Sequence, residues 1–115
     1  MKLVSVALEL TKKKKIYFEN WEKYSIEIKN FVEDLLRDEV ELIVFGSIVR
    51  GNYALGISDI DLLIISDRFG DRDVRFNTLV RLLEKYMESP FEFHLVTRNE
   101  FENWYKKFIL EYRKF

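Results

Sequence analysis

Two carboxylates interrupt an apolar run near the middle of the chain. Asp59 and Asp61 lie in the stretch SDIDLLIIS, whose isoleucines and leucines otherwise predict a buried strand. Side chains alternate across a strand, so both carboxylates are expected on one face, about 7 Å apart along the backbone. A charge at such a position is costly unless it is paired or binds a metal ion. The spacing therefore indicates a divalent metal with oxygen ligands, Mg²⁺ or Mn²⁺.

A glycine-serine turn precedes these carboxylates. Gly46 and Ser47 follow the apolar run VELIVF, and the missing side chain at Gly46 lets a ligand approach the backbone closely. Exposed backbone N–H groups there, with the Ser47 hydroxyl, would bind an anion such as phosphate. Arg50, one turn further on, could donate two hydrogen bonds from its charged guanidinium to the same phosphates. Gly51 and Gly56 then let the chain return, so the turn and the carboxylates are expected to meet at one edge of a sheet.

The joint pattern GS-x2-RG-x6-SD-x-D is more specific than either part. A Gly-Ser turn or an Asp-x-Asp pair is common on its own. Together they fix seven positions, and at residue frequencies of roughly 5 to 7% each such a match arises by chance at on the order of one in 10⁹ starting points. The combination favours a site for a metal ion and a phosphate compound.

Helices are predicted on both sides of this stretch. Apolar residues at intervals of three and four predict helices over 16–36 and 73–87. Thr97 and Glu100 form a capping-box pattern at the start of a last helix that is expected to run through Ile109. Residues 1–10 are expected to form a short amphipathic or strand-like lead-in.

Strands are predicted over 40–47, 58–66 and 91–96, because these runs are rich in β-branched and aromatic residues. Residues 52–57 have no periodicity and are expected to form a loop. The order of helices and strands predicts an α/β fold with a small mixed β-sheet flanked by helices.

Bulk properties narrow the class of protein. The 115 residues, 48% of them hydrophobic, suit a single domain over residues 1–115. No apolar run approaches the roughly 18 residues of a membrane span, and no secretory signal is evident, which favours a cytoplasmic protein without membrane contact. The absence of cysteine excludes disulfides and thiolate zinc sites. A net charge of -1, with the basic run Lys12–Lys15 interpreted as a solvated surface, argues against nucleic-acid binding.

The pattern quoted above resembles the signature of the nucleotidyltransferase superfamily related to DNA polymerase β. The short chain is similar to the minimal nucleotidyltransferases, the MNT proteins. The resemblance implies a single nucleotidyltransferase domain with the polymerase β-like palm fold. It also implies that Gly46 and Ser47 bind a nucleoside triphosphate, with Arg50 and Ser58 as further nucleotide-binding residues.

Asp59 and Asp61 match the family's two metal-binding carboxylates, and the family normally supplies a third acidic residue from the next strand. In the predicted strand FEFHLV, Glu92 and His94 alternate onto one face. Glu92 is the better ligand or base because carboxylates suit hard cations, whereas His94 lies where the family's aspartate is expected. We therefore predict Asp59, Asp61 and Glu92 as catalytic and metal-binding residues, with His94 as the alternative third-site residue.

The resemblance implies transfer of a nucleoside monophosphate, AMP being favoured, from a nucleoside triphosphate to a hydroxyl with Mg²⁺ or Mn²⁺. It further implies the MNT antitoxin of a HEPN/MNT toxin-antitoxin pair, which would have a HEPN-type protein partner or form a homo-oligomer. Two alternatives remain open. One is a catalytically weak module that binds nucleotide or masks a toxin, and the other is a small-molecule nucleotidyltransferase resembling aminoglycoside-resistance enzymes.

Overall fold

The computed structural model describes residues 2–51 and 59–115. Its helices and strands, in chain order, are α1 Lys2–Glu19, α2 Trp21–Leu36, β1 Glu41–Phe45, α3 Ser47–Arg50, β2 Ile60–Ile65, α4 Arg72–Lys85, β3 Phe91–Val96, α5 Arg98–Asn103 and β4 Tyr112–Lys114. Two 3₁₀ turns cover Asp67–Gly70 and Tyr105–Lys107. The predicted loop 52–57 and Ser58 lie outside the described residues. Within the described ranges, every helix is too short or too polar to cross a membrane.

The four strands form one mixed sheet in the order β3-β2-β1-β4. β1 pairs antiparallel with β2 and with β4, while β2 pairs parallel with β3. The parallel pairing is possible because α4 lies between β2 and β3 in the chain and provides the crossover that parallel strands need. The predicted α/β fold with a small mixed sheet and flanking helices is confirmed.

Alternation along the strands gives the sheet two different faces. The face that we call the core face packs with α2 and α4, and β1 and β2 contribute to its large hydrophobic cluster Leu42, Val44, Leu62 and Ile64. The opposite face, the site face, has a smaller buried cluster of Ile43, Leu63, Ile65 and Val96. The segment after β3 covers this smaller cluster with the partly buried side chains of Phe101, Tyr105 and Ile109.

The N-terminal prediction was wrong in two respects. Residues 2–10 belong to the long helix α1, and the predicted helix over 16–36 is divided at Asn20. The Asn20 side-chain amide donates a hydrogen bond to the carbonyl of Ile16 at 2.9 Å, and such local bonds make asparagine favourable at helix ends. The N-terminal half of α1 is exposed, including Leu3 and Val6. Its apolar residues therefore do not mark one buried helical face, and the sequence pattern leaves strand and helix open.

The C-terminal prediction was partly wrong. The capping box of Thr97 and Glu100 is confirmed, but α5 ends at Asn103, well before Ile109. The chain then makes a 3₁₀ turn and adds β4 to the edge of β1. All three side chains of β4 are exposed, so this edge strand lacks the buried alternation by which strands are predicted. The other predicted elements agree with the structure to within one or two residues at each end.

Candidate functional site

The site face carries three side chains that could bind a metal ion. Asp61 lies on β2 beside Glu92 of β3, and Leu63 lies beside His94, because the two strands are parallel and in register. Since side chains alternate, Asp61, Glu92 and His94 all project from the same face. One ligand atom from each residue lies within 4.8 Å of the other two.

His94 has an unusual environment at the centre of this group. Its Nε2 lies 3.5 Å from Oδ1 of Asp61 and 3.7 Å from Oε1 of Glu92. The same atom is buried and has no hydrogen-bond partner among the residues that the structure describes. The imidazole ring packs against Phe45 and Tyr105, with ring centroids 5.7 and 5.8 Å away. A buried polar atom without a partner is costly, so these residues fit a bound cation.

Gly46 brings the glycine-serine turn against Asp61. Phe45 pairs with Asp61 across β1 and β2, and the next residue, Gly46, has φ +93°. A Cβ atom at Gly46 would lie only 2.8 Å from Oδ2 of Asp61. Only glycine therefore lets the backbone approach the carboxylate this closely. The short helix α3 begins directly afterwards, at Ser47.

The remaining predicted site residues are less closely assembled. Asp59 is exposed, directly precedes β2 and is not part of the group formed by Asp61, Glu92 and His94. Ser47 is partly buried at the start of α3, and Arg50 is exposed at its end. Ser58 lies outside the described residues. The structure thus brings together Gly46, Asp61, Glu92 and His94, and the functional roles of all these residues stay predictions.

Ion pairs hold the C-terminal segment over the site face. The guanidinium of Arg75 donates two hydrogen bonds to the carboxylate of Glu100, at 2.8 and 3.1 Å. These bonds are the main cause of a pKa of Glu100 below its ordinary value. Arg98 forms a close hydrogen bond with Glu41 of β1, which likewise lowers the pKa of Glu41. The two pairs connect α5 to α4 and to β1.

Phe45 and Tyr105, the two aromatic residues that pack against His94, were not predicted as residues of the site. Phe45 was considered only as an apolar strand residue, and Tyr105 as part of the last helix. Their contact with His94 depends on the register of β1 and β2 and on the turn after α5. Neither feature has a local signal in the sequence.

Comparison with known proteins identifies the fold class first. A crystal structure from Sulfolobus solfataricus, named a "putative nucleotidyltransferase", superposes with a TM-score of 0.54 at 21% identity, covering 95% of this chain and 85% of the other. A second crystal structure, also named a "putative nucleotidyltransferase", gives a TM-score of 0.69 at 38% identity, covering 80% of this chain and 97% of the other. None of the curated proteins matches the chain.

The nucleotidyltransferase domain family matches residues 25–115, which include every strand of the sheet and the whole candidate site. The chain therefore belongs to this family and is a minimal nucleotidyltransferase of the polymerase β-like superfamily. This confirms the resemblance predicted from the pattern between Gly46 and Asp61. Helix α1 precedes the matched region.

Proposed function

We propose that the protein transfers a nucleoside monophosphate, AMP in the favoured case, from a nucleoside triphosphate to a hydroxyl group. The observation that carries this proposal is the contact between Gly46 and Asp61 at the edge of the group that includes Glu92 and His94. The turn that we propose to bind phosphate and the side chains that we propose to bind metal lie within one small region, which supports nucleotidyl transfer. Membership of the nucleotidyltransferase family supports the same reaction.

In this proposal the residues of the turn bind the triphosphate. Backbone N–H groups after Gly46 and the hydroxyl of Ser47 would donate hydrogen bonds to phosphate oxygens. Arg50 and Ser58 would contribute further contacts to the nucleotide. The acceptor oxygen forms a bond to the α-phosphorus while the bond to the bridging oxygen breaks, so pyrophosphate leaves and the hydroxyl proton passes to solvent.

The carboxylates of Asp59, Asp61 and Glu92 would hold Mg²⁺ or Mn²⁺. When bound, the metal would neutralise the phosphate charge and lower the pKa of the attacking hydroxyl. Asp61 is well suited to this task because its side chain is only 26% exposed and approaches the backbone of the turn. Glu92 is 52% exposed and can adjust toward a ligand from the solvent side.

For the acceptor we propose a hydroxyl on a second protein, a HEPN-type toxin, for which this chain would be the cytoplasmic MNT antitoxin. The resemblance to short MNT proteins supports this assignment, and a homo-oligomer is the other form in which the acceptor could be presented.

Label transfer tests the reaction and the nucleotide together. The protein is incubated with Mg²⁺ and each of the four nucleoside triphosphates carrying a label on the α-phosphate, with and without a candidate HEPN-type partner. We expect label on the partner with ATP. Absence of label on any protein with all four nucleotides, in samples that bind triphosphate, would contradict the proposed transfer.

A second candidate function is a module that binds nucleotide or masks a toxin without efficient transfer. The observation that favours it is His94, which lies where the family's third acidic residue is expected. Triphosphate binding measured by calorimetry, combined with no label transfer to any partner, is the result expected of such a module.

A further inference from the structure

The imidazole of His94 occupies the centre of the group that the proposed function assigns to the metal. We infer that His94 is itself a metal ligand through Nε2, together with Asp61 and Glu92, and that this mixed set prefers Mn²⁺ to Mg²⁺. The inference deepens the proposed function, on which it rests, by assigning both the third ligand and the metal.

The buried state of Nε2 is the first argument. Within residues 2–51 and 59–115 the atom is buried and lacks a hydrogen-bond partner, while Phe45 and Tyr105 pack against the ring. An unsatisfied buried polar group costs about 1 to 3 kcal/mol. Neither aromatic ring offers a hydrogen-bond acceptor equivalent to water. A metal ion between His94 and the two carboxylates would remove this cost directly.

The distances favour a shared metal over a direct ion pair. A charge-assisted N–H···O hydrogen bond is about 2.7 to 2.9 Å long, whereas Nε2 lies 3.5 Å from Asp61 and 3.7 Å from Glu92. Two ligand atoms on one metal, each about 2.1 Å from it, are separated by about 3.0 Å at right angles and about 3.4 Å in a tetrahedron. The two separations from Nε2 exceed this range by a few tenths of an ångström, and the carboxylate ligand atoms of Asp61 and Glu92 lie within 4.8 Å of each other. Side-chain movements would therefore complete the site.

The chemistry of the donors determines the metal. Mg²⁺ prefers an octahedron of oxygen atoms and retains several waters. Imidazole is a better ligand for transition-metal ions than for Mg²⁺, and among these ions Mn²⁺ shares with Mg²⁺ a preference for carboxylate and water oxygens. An imidazole in place of a third carboxylate also reduces the negative charge that attracts a hard cation. Both effects lower the affinity for Mg²⁺ more than that for Mn²⁺.

The sequence makes this ligand easy to test, because His94 is the only histidine of the chain. Protein freed of any affinity tag is loaded with Mn²⁺ and inorganic tripolyphosphate, neither of which contains nitrogen. Electron spin-echo envelope modulation then reports any ¹⁴N nucleus bound to Mn²⁺. We expect nitrogen modulation in the parent protein and its loss in both His94→Ala and His94→Asp.

Metal competition gives the second measurement. Displacement of Mn²⁺ by Mg²⁺ measures the ratio of the two affinities. We expect this ratio to fall by at least about tenfold in His94→Asp. Tenfold is the lower end of the loss in metal affinity that follows removal of a residue supporting a metal site. Asp34→Asn is the matched control, since Asp34 is an exposed carboxylate on α2, which packs on the core face. This control should leave both the modulation and the ratio unchanged.

The outcomes separate this inference from the proposed function. Mn²⁺ bound without nitrogen modulation, or a folded parent protein that does not bind Mn²⁺ at millimolar concentration, would overturn the inference. Mn²⁺ bound with nitrogen modulation, in a protein that transfers no label with either metal, would support the inference and contradict the proposed transfer. Transfer with Mg²⁺ that is unaffected by His94→Ala would leave the proposed function intact and remove the role of His94.

Discussion

The two faces of the sheet differ in size, cover and chemistry, although the same strands form both. The core face joins side chains of α1, α2 and α4 in the larger hydrophobic cluster. The site face has a much smaller buried cluster, and its neighbours along the strands are Asp61, Glu92 and His94. Adjacent residues of one strand can thus serve opposite purposes, because their side chains project in opposite directions. Stability is concentrated on one face and the candidate chemistry on the other.

The largest effect expected is loss of activity without loss of the fold. Asp59→Asn combined with Asp61→Asn removes the charge of both proposed ligands while the size of the side chains is kept. We expect Mg²⁺-dependent triphosphate binding to disappear in calorimetry. Transfer should fall by at least about 10³-fold, or about 4 kcal/mol in activation free energy.

The thermal midpoint of the same variant is its control. It should remain within a few degrees of the parent, because the hydrophobic cluster of the core face is unchanged. Unchanged triphosphate affinity in this folded double variant would refute the assignment of the metal to these carboxylates.

Leu62 and Leu63 allow the two faces to be compared directly, since both are fully buried neighbours on β2. Leu62 packs in the larger cluster and Leu63 in the smaller one. We expect Leu62→Ala to lower the free energy of unfolding by about 3 to 4 kcal/mol and Leu63→Ala by about 2 to 3 kcal/mol. The cavity on the site face can collapse more easily because only a short C-terminal segment covers it.

Urea unfolding measures both stabilities, and Mn²⁺ affinity sharpens the comparison. Leu63 lies beside His94 in the register of β2 and β3, so Leu63→Ala should also weaken metal binding, whereas Leu62→Ala should not. If Leu63→Ala proves the more destabilising variant, or if both variants bind Mn²⁺ equally well, the proposed division between the faces is incorrect.

The burial of each element explains whether it could be predicted from the sequence. β2 and β3 were predicted because their buried runs are marked in the sequence, and Thr97 with Glu100 defined the start of α5 correctly. Residues 2–15 of α1 were not predicted as helical, because their apolar residues, which are mostly exposed, fit a strand as well as a helix. β4 was missed because its pairing with β1 leaves all three side chains exposed. A helix or strand without a buried face lacks the periodic apolar pattern by which such elements are predicted.

The candidate site was predicted in part for a similar reason. The pattern from Gly46 to Asp61 and the alternation of Glu92 with His94 could be identified along the chain. The meeting of Asp61 with Glu92 and His94 depends on the parallel register of two strands, which no local pattern specifies. The burial of the His94 nitrogen depends in addition on Phe45 and Tyr105, which are distant in the chain.

A smaller effect is expected from the two glycines that flank α3. Gly46 and Gly51 both have positive φ angles, +93° and +77°. Gly51 is left-handed, where alanine costs about 1 to 2 kcal/mol. Gly46, with ψ -159°, lies in a backbone region that is essentially restricted to glycine, so alanine there costs about 1 to 3 kcal/mol. At Gly46 the new Cβ would also lie 2.8 Å from Oδ2 of Asp61, whereas at Gly51 it would meet no atom of the described residues within 4 Å. We therefore expect Gly46→Ala, but not Gly51→Ala, to displace a carboxylate of the site.

Triphosphate affinity distinguishes the two glycine variants. It should fall by at least about tenfold, or about 1.4 kcal/mol, in Gly46→Ala and remain near the parent value in Gly51→Ala. Gly46→Val should have a larger effect because its side chain is branched. Equal affinity in Gly46→Ala and Gly51→Ala would mean that the close approach of Gly46 to Asp61 has no functional role.

The smallest effect concerns the ion pair that holds α5 over the site face. Hydrogen bonds from Arg75 are the main reason that the pKa of Glu100 lies below its ordinary value of about 4.5. A carboxyl group whose pKa is lowered by folding stabilises the fold above that ordinary value, and its contribution is lost as the pH falls through the folded pKa. Glu100→Gln keeps a side chain that can complete the capping box but loses the charge.

We expect Glu100→Gln to lower the free energy of unfolding at pH 7 by less than about 1 kcal/mol, since the Glu100 side chain is 39% exposed. The difference from the parent should shrink as the pH falls below 4.5 and through the lowered pKa of Glu100, where the parent's carboxylate becomes protonated. Urea midpoints at pH 7 and pH 3 measure this change. In the background of Arg75→Gln, the same substitution should show a much smaller pH dependence, because the main cause of the lowered pKa has been removed. A difference that stays constant between pH 7 and pH 3 would show that the Glu100–Arg75 charge pair does not stabilise α5 on the site face.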